Sequence, residues 1–198
     1  MHDTQVAAPA PPERGPQLCD KLPEIHRFVT GHNTDGKAIA TVQDVPVWTH
    51  LGNKTRGYNV LYTTQEFPAV LDDDKDIKAH DELLRSGKLG LVTPNGTVLR
   101  IVDFAPGKPA AMHRTQSLDY GIVLEGEIVM VLDSGEEHRM KRGDVAIQRA
   151  TFHAWKNESQ TEWCRMAFVL MDCNAPVVNG KVMGEDLGKG LSFLPPSR

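Results

Sequence analysis

The sequence has no apolar run approaching the roughly 20 residues that a membrane-spanning helix needs, so no membrane partner is expected. It also lacks a basic excess: 22 Lys and Arg are scattered among 26 Asp and Glu, for a formal charge of −4. No basic stripe would follow a phosphate backbone, and nucleic acid is not an expected partner. Met1–Gly15 does not open with a basic start and an apolar stretch, so it does not read as a secretory leader. Cysteine is sparse. Cys19, Cys164 and Cys173 are odd in number and form no C-x-x-C, and Cys164 sits in the apolar run WCRMAFVLM as a buried free thiol would. That usage points to a reducing compartment, with the cytosol as the expected location. There are no internal repeats, and no organic cofactor is evident.

What is present is one domain's worth of alternating apolar sequence. The 198 residues suffice for a single core and would cramp a second one. Short β-like runs begin with IHRFVTGH, KAIATVQ, VPVWTHL and GYNVLYTT, separated by turn chemistry at Asn33-Thr34-Asp35-Gly36 and Gly52-Asn53. LDDDKDIKAHDELLRSGK permits a loop leading into one short helix. From Leu89 the pattern is nearly continuous strand: LGLVT and TVLRIVDFA flank a Pro94-Asn95-Gly96 turn, and YGIVLEGE, EIVMVLD, EEHRMK, DVAIQR, FHAWKN and TEWCRMAFVLM follow. Many short strands at close spacing predict an all-β sandwich or barrel. EIVMVLD is apolar on both parities, as a strand covered on both faces would be, by a second sheet or by a second subunit. A homodimer is therefore expected.

The chemistry is concentrated between Gly107 and Asn157. His113, Thr115 and Asp119 share one parity on an extended chain, so their side chains can face one cavity. His153, Trp155 and Asn157 share another. Arg100 alternates with Val98, Val102 and Phe104, and from an inward parity it would grip a substrate carboxylate bidentately; from an outward parity it would meet solvent. Arg165, between Trp163 and Ala167, poses the same pair of readings. Tyr120 and Trp155 suit either packing or a wall for a flat organic substrate. The other six histidines, His2, His26, His32, His50, His80 and His138, read as solvated or hydrogen-bonded side chains.

With those residues placed, the segment resembles the cupin superfamily. Its first motif, G-x5-H-x-H-x3-E-x6-G, is matched at Gly107, His113, Thr115, Asp119 and Gly126 with every interval kept. Its second motif, a Gly-Asp turn followed by His and, four residues later, Asn, is matched at Gly143, Asp144, His153 and Asn157. More narrowly, VTGHNTDGKA, HRTQSLDYGIVLEGE and VAIQRATFHAWKN look like a group of single-domain cupins, some of which accompany fungal secondary-metabolite pathways. The resemblance implies a cupin double-stranded β-helix barrel over 89–172. Before it would come a disordered lead-in (1–20) and an N-terminal β extension with a short helix (21–88). A tail (173–198) would pack on the barrel or a partner.

Cupins of the metal-binding kind hold their ion with three His and one Glu. Here Thr115 and Asp119 stand at two of those positions, which leaves His113, Asp119 and His153 as a two-His, one-carboxylate set for a divalent Zn, Fe or Mn ion. The alternative is a metal-free acid/base pair of imidazoles, with Asp119 orienting a ring or anchoring its loop. The resemblance implies a lyase, a decarboxylase or dehydratase acting on an organic acid or polyketide-like intermediate. A metal-dependent dioxygenase, an isomerase and a non-catalytic small-molecule binder stand as alternatives. His153, His113, Arg100 and Tyr120 are the expected catalytic residues, and Thr115, Trp155 and Arg165 the expected substrate contacts.

Overall fold

The computed structural model describes residues 13–51, 54–108 and 110–198. In chain order its elements are β1 (Glu13–Gly15), β2 (Arg27–His32), β3 (Ala38–Asp44), β4 (Trp48–Leu51), β5 (Arg56–Thr64), a 3-10 turn (Asp72–Asp74), α1 (Lys75–Ser86) and β6 (Thr97–Phe104). There follow β7 (Ser117–Glu125), β8 (Glu127–Leu132), β9 (Glu137–Lys141), β10 (Val145–Arg149), β11 (His153–Lys156), β12 (Cys164–Asp172), β13 (Val177–Val178) and β14 (Lys181–Val182). A seven-stranded antiparallel sheet of order β1-β4-β5-β6-β12-β7-β10 forms one wall, and a three-stranded sheet β11-β8-β9 forms the other. The core between them takes one parity from each strand: Val98 and Phe104 on β6, Met166 and Phe168 on β12, Ile128 on β8 and Trp155 on β11. The cupin barrel expected from sequence is the observed architecture.

Local chemistry sets most boundaries. The β2–β3 hairpin turns where the Asn33 carboxamide oxygen accepts the backbone N–H groups of Asp35 and Lys37, at 3.0 and 2.9 Å. Helix α1 ends at Gly87, which adopts the left-handed conformation usual at a helix C-terminus. It is pinned to β5 by buried His80, whose Nδ1 lies 3.0 Å from the Thr63 hydroxyl and whose Nε2 lies 3.2 Å from an Arg27 guanidinium nitrogen.

Two expectations need correction. LGLVT is not a strand: residues 89–93 run irregularly, and the carbonyls of Gly90 and Leu91 accept from Arg100, at 3.1 and 2.7 Å, instead of joining a ladder. The lead-in is ordered over 13–20, because β1 pairs with β4 and Cys19 is buried; residues 1–12 lie outside those described, as does the Gly52-Asn53 turn. The N-terminal extension joins the barrel sheet, since β5 pairs with β6.

The tail packs on the barrel. Leu191 is buried in the core, and Ser197 donates from its backbone N–H to Glu185 at 3.0 Å. Two close approaches fix its course: a Cβ on Gly90 would lie 2.8 Å from Ser197 Oγ, and one on Gly188, which has φ +56°, would lie 2.4 Å from the Met112 carbonyl oxygen.

Arg165 does not reach the cavity. On β12 it has the opposite parity to Met166 and Phe168, so it points to the outer face of the sheet, which residues 17–23 and β4 cover. There its guanidinium holds Asp103, its neighbour on β6, through two bonds of 2.6 and 2.7 Å, donates to the Pro23 carbonyl at 2.5 Å, and lies 5.1 Å from the Trp48 ring centroid. The expected substrate contact is a structural clamp. Removing one member of such a desolvated pair strands the other charge. Asp103→Asn is expected to cost about 3–5 kcal/mol in urea unfolding, and the double replacement Asp103→Leu with Arg165→Met markedly less; equal losses would rule the clamp out.

Candidate functional site

The site begins with a backbone contact. His113 and His153 form an isolated antiparallel bridge in which each N–H donates to the other's carbonyl at 2.9 Å. Residues opposed in this way project their side chains to the same side, and the two imidazole centroids lie 4.6 Å apart. Each Nδ1 sits 2.9 Å from a carbonyl oxygen, of Ala111 for His113 and of Thr151 for His153. A carbonyl only accepts, so each Nδ1 carries the hydrogen, and each neutral ring keeps its lone pair at Nε2. Burial and the neighbouring His153 hold the His113 pKa down at about 4, and burial likewise lowers that of His153.

Beyond His113 the chain bends at Gln116 and enters β7, and the expected shared face holds: Thr115 and Asp119 are buried and line the cavity, with Ser117 buried between them. Thr115 and Asp119 line the same cavity of about 90 Å³ as the two histidines, as does Trp155, whose ring meets that of His153 edge-on at 5.7 Å. Arg100 enters from β6 on the inward parity, with its guanidinium carbon 5.6 Å from the Tyr58 ring centroid. Among the described residues, Arg100 Nε, Ser117 Oγ and Asp119 Oδ1 are buried polar atoms without a hydrogen-bond partner. Burial raises the Asp119 pKa to about 7, against the opposing influence of Ser117 and the Arg100 charge.

Arg56 and Tyr58 also line this cavity, and sequence reasoning missed both. They share a parity at the start of β5, in a run read only as a strand; their cavity-facing position follows from β5 pairing with β6, register Arg56↔Phe104 and Tyr58↔Val102. Tyr120 is a further correction. It alternates with Asp119 and so faces outward, 39% exposed, which removes it from the expected catalytic set.

The two Nε2 atoms offer a divalent ion two nitrogen ligands whose other ring nitrogens are already oriented by carbonyls, the usual outer support of a metal-binding His. Among the described residues, however, no group of three or more His, Cys, Asp or Glu side chains is gathered closely enough to hold an ion. Asp119, the carboxylate of the expected set, lines the same cavity as the two histidines and would be the third protein ligand of such a site.

A barrel with paired motif histidines facing one small cavity defines a cupin. A family model described as a cupin domain matches residues 100–170. The chain is similar to "Phomopsin biosynthesis cluster protein D" of Diaporthe leptostromiformis, 41% identical over 174 residues that cover 87% of this chain and 91% of that one. It is similar to "Cupin-domain-containing oxidoreductase fogC" of Aspergillus ruber, 42% identical over 170 residues, 84% of this chain and 82% of that one. A third relative is "Oryzines biosynthesis cluster protein J" of Aspergillus oryzae, 38% identical over 169 residues, 85% and 94% of the two chains. The chain belongs to the cupin family, in the group of single-domain cupins found with fungal secondary-metabolite clusters. None of its described helices is long and apolar enough to cross a membrane.

The pKa shifts have opposite consequences for stability. Folded Asp119 keeps its proton up to about pH 7, whereas an unfolded Asp releases it near 3.8, so the folded state binds more protons in that window and loses stability as pH rises through it. His113 works the other way: the unfolded ring takes a proton below 6.5 that the folded one refuses until about 4, so stability falls as pH drops. In Asp119→Asn the alkaline loss disappears. Urea unfolding at pH 4 and pH 8 is expected to show the variant gaining a few kcal/mol on the wild type; no relative gain would mean that Asp119 is ionised when folded.

Proposed function

We propose that this cupin is a small-molecule lyase that removes water or carbon dioxide from an organic acid or polyketide-like carbonyl compound. The observation that carries the reading is the coexistence, in one buried cavity, of neutral imidazoles with free Nε2 lone pairs and a carboxyl group held largely protonated below about pH 7. A base beside an acid, each in its working state, is what elimination needs. For dehydration, His153 Nε2 takes the proton next to the carbonyl and the C–H electron pair moves into an enolate. The C–O bond to the hydroxyl then breaks as Asp119 delivers its proton, and water leaves. For decarboxylation, the bond to the carboxylate carbon breaks, carbon dioxide departs, and the enolate carbon is protonated by Asp119. Arg100 and Arg56 supply positive charge for the substrate carboxylate and for the enolate oxygen as it develops. His113 orients its partner ring, and Thr115 and Trp155 shape the wall.

A second reading is favoured by the names of relatives, fogC among them, that call them oxidoreductases. In that case His113, Asp119 and His153 would hold a metal whose chemistry would supply oxygen or redox turnover. A homodimer also belongs to the proposal, resting on the outer sheet face near the free edge strand β10, where Val145 and Ile147 are 55% and 53% exposed beside Tyr120.

The two readings separate cleanly. The lyase predicts turnover of a hydroxy acid or keto acid that persists anaerobically in the presence of a chelator, and that falls at least ~100-fold in His153→Ala and Arg100→Leu. Turnover that requires oxygen and bound iron, abolished by chelation, would replace the lyase with the oxidoreductase.

A further inference from the structure

The inner cavity is small for the job. Its volume of about 90 Å³ is well under the roughly 300–1,000 Å³ typical of sites that enclose a whole ligand. It has room for a carboxylate or carbonyl and a few carbons beside it. Yet it is not isolated: Tyr58, Arg100 and Leu194 line it and also line a second, outer groove of about 500 Å³. The remaining walls of that groove come from Val45, Pro46 and Val47 before β4, Leu84 and Leu89 around the end of α1, and Phe193 from the tail. Val45 and Val47 are 45% and 64% exposed, an unusual condition for two valines so close together in an irregular segment. Polar groups reach it as well, among them Arg14, Thr49 and the Arg27–Asp44 ion pair, so its accessible surface is divided about evenly between polar and apolar atoms, the apolar part coming from the valines, the leucines and Phe193.

Resting on the lyase reading, we infer that the substrate is a two-part molecule: an acidic or carbonyl head that enters the inner cavity, and a larger apolar body, cyclic or branched, that stays in the outer groove. Arg100 is the junction. Its guanidinium is anchored through Nη2 to the carbonyls of Gly90 and Leu91, which leaves Nε unpartnered for the head group. Tyr58 and Leu194 flank the threshold, so the body contacts Val47 and Phe193 while the reacting carbons sit among the histidines. Holding a non-reacting body in this way positions the head and raises the fraction of bound molecules that react.

The probes are propanoate, 4-phenylbutyrate and 6-phenylhexanoate, titrated calorimetrically into the full chain and into the double variant Val45→Gln, Val47→Gln. Both substitutions are at exposed positions outside the strands, where changes seldom disturb folding. The expected result is weak propanoate binding that is equal in both proteins, and binding of the phenyl acids roughly tenfold or more tighter in the wild type. The double variant loses most of that gain. Propanoate binding with no gain from the phenyl group, or with a gain that the double variant retains, overturns the outer subsite and leaves the lyase reading standing. Failure of every acid to bind overturns the acidic head, and with it both readings.

Discussion

The site depends on a single pair of reciprocal hydrogen bonds, those between the backbones of His113 and His153. They lie outside the named ladders and join the segment leading into β7 to the first residue of β11. From that contact follow the 4.6 Å approach of the rings and the proximity of the Ala111 and Thr151 carbonyls, which fix both tautomers. Without it, two imidazoles forty residues apart in sequence would have no reason to share an environment. With it, desolvation keeps both rings neutral, and burial in the same cavity raises the pKa of Asp119, so that both kinds of group favour their uncharged form.

The seven-stranded sheet uses its two faces differently. Toward the interior, β6 and β12 present Val98, Phe104, Met166 and Phe168, and the cavity is cut into that apolar layer. Toward the exterior, the same strands place Asp103 and Arg165 side by side under Trp48 and the ordered N-terminal stretch. Both faces thus hold a buried guanidinium, but with different partners. Arg165 is saturated by a carboxylate, a carbonyl and a ring. Arg100, on the inner side, has only carbonyls on one nitrogen and a ring at a distance. A saturated cation stabilises structure; an under-saturated one is available to a ligand.

Much of this was legible before the structure. Motif spacing brought His113 and His153 together and strand parity put Thr115 and Asp119 on one face, whereas for Arg100 alternation with valines left an inward and an outward reading open, which the structure resolves inward. What failed did so for identifiable reasons. Arg165 occupies a strand both of whose faces are buried, so flanking apolar residues do not tell which way it points. Tyr120 follows from the same alternation that correctly turned Asp119 inward, and its outward position was readable from that neighbour. Arg56 and Tyr58 depend on which strand β5 pairs with, a long-range fact that no local pattern encodes. LGLVT carries strand-like composition, but its carbonyls are taken by a side chain, which composition does not reveal.

Arg100 and the tail share a support, because the 90–91 loop that receives its guanidinium also lies directly beneath Pro195 and Ser197. Specificity in such a molecule can therefore drift without touching the barrel. Exchange of a short terminal stretch would reshape the threshold and nudge the anchored cation, while every strand-borne group keeps its place. On the proposed split between inner cavity and outer groove, changes confined to the terminus would alter which body fits while leaving the histidine pair as it is.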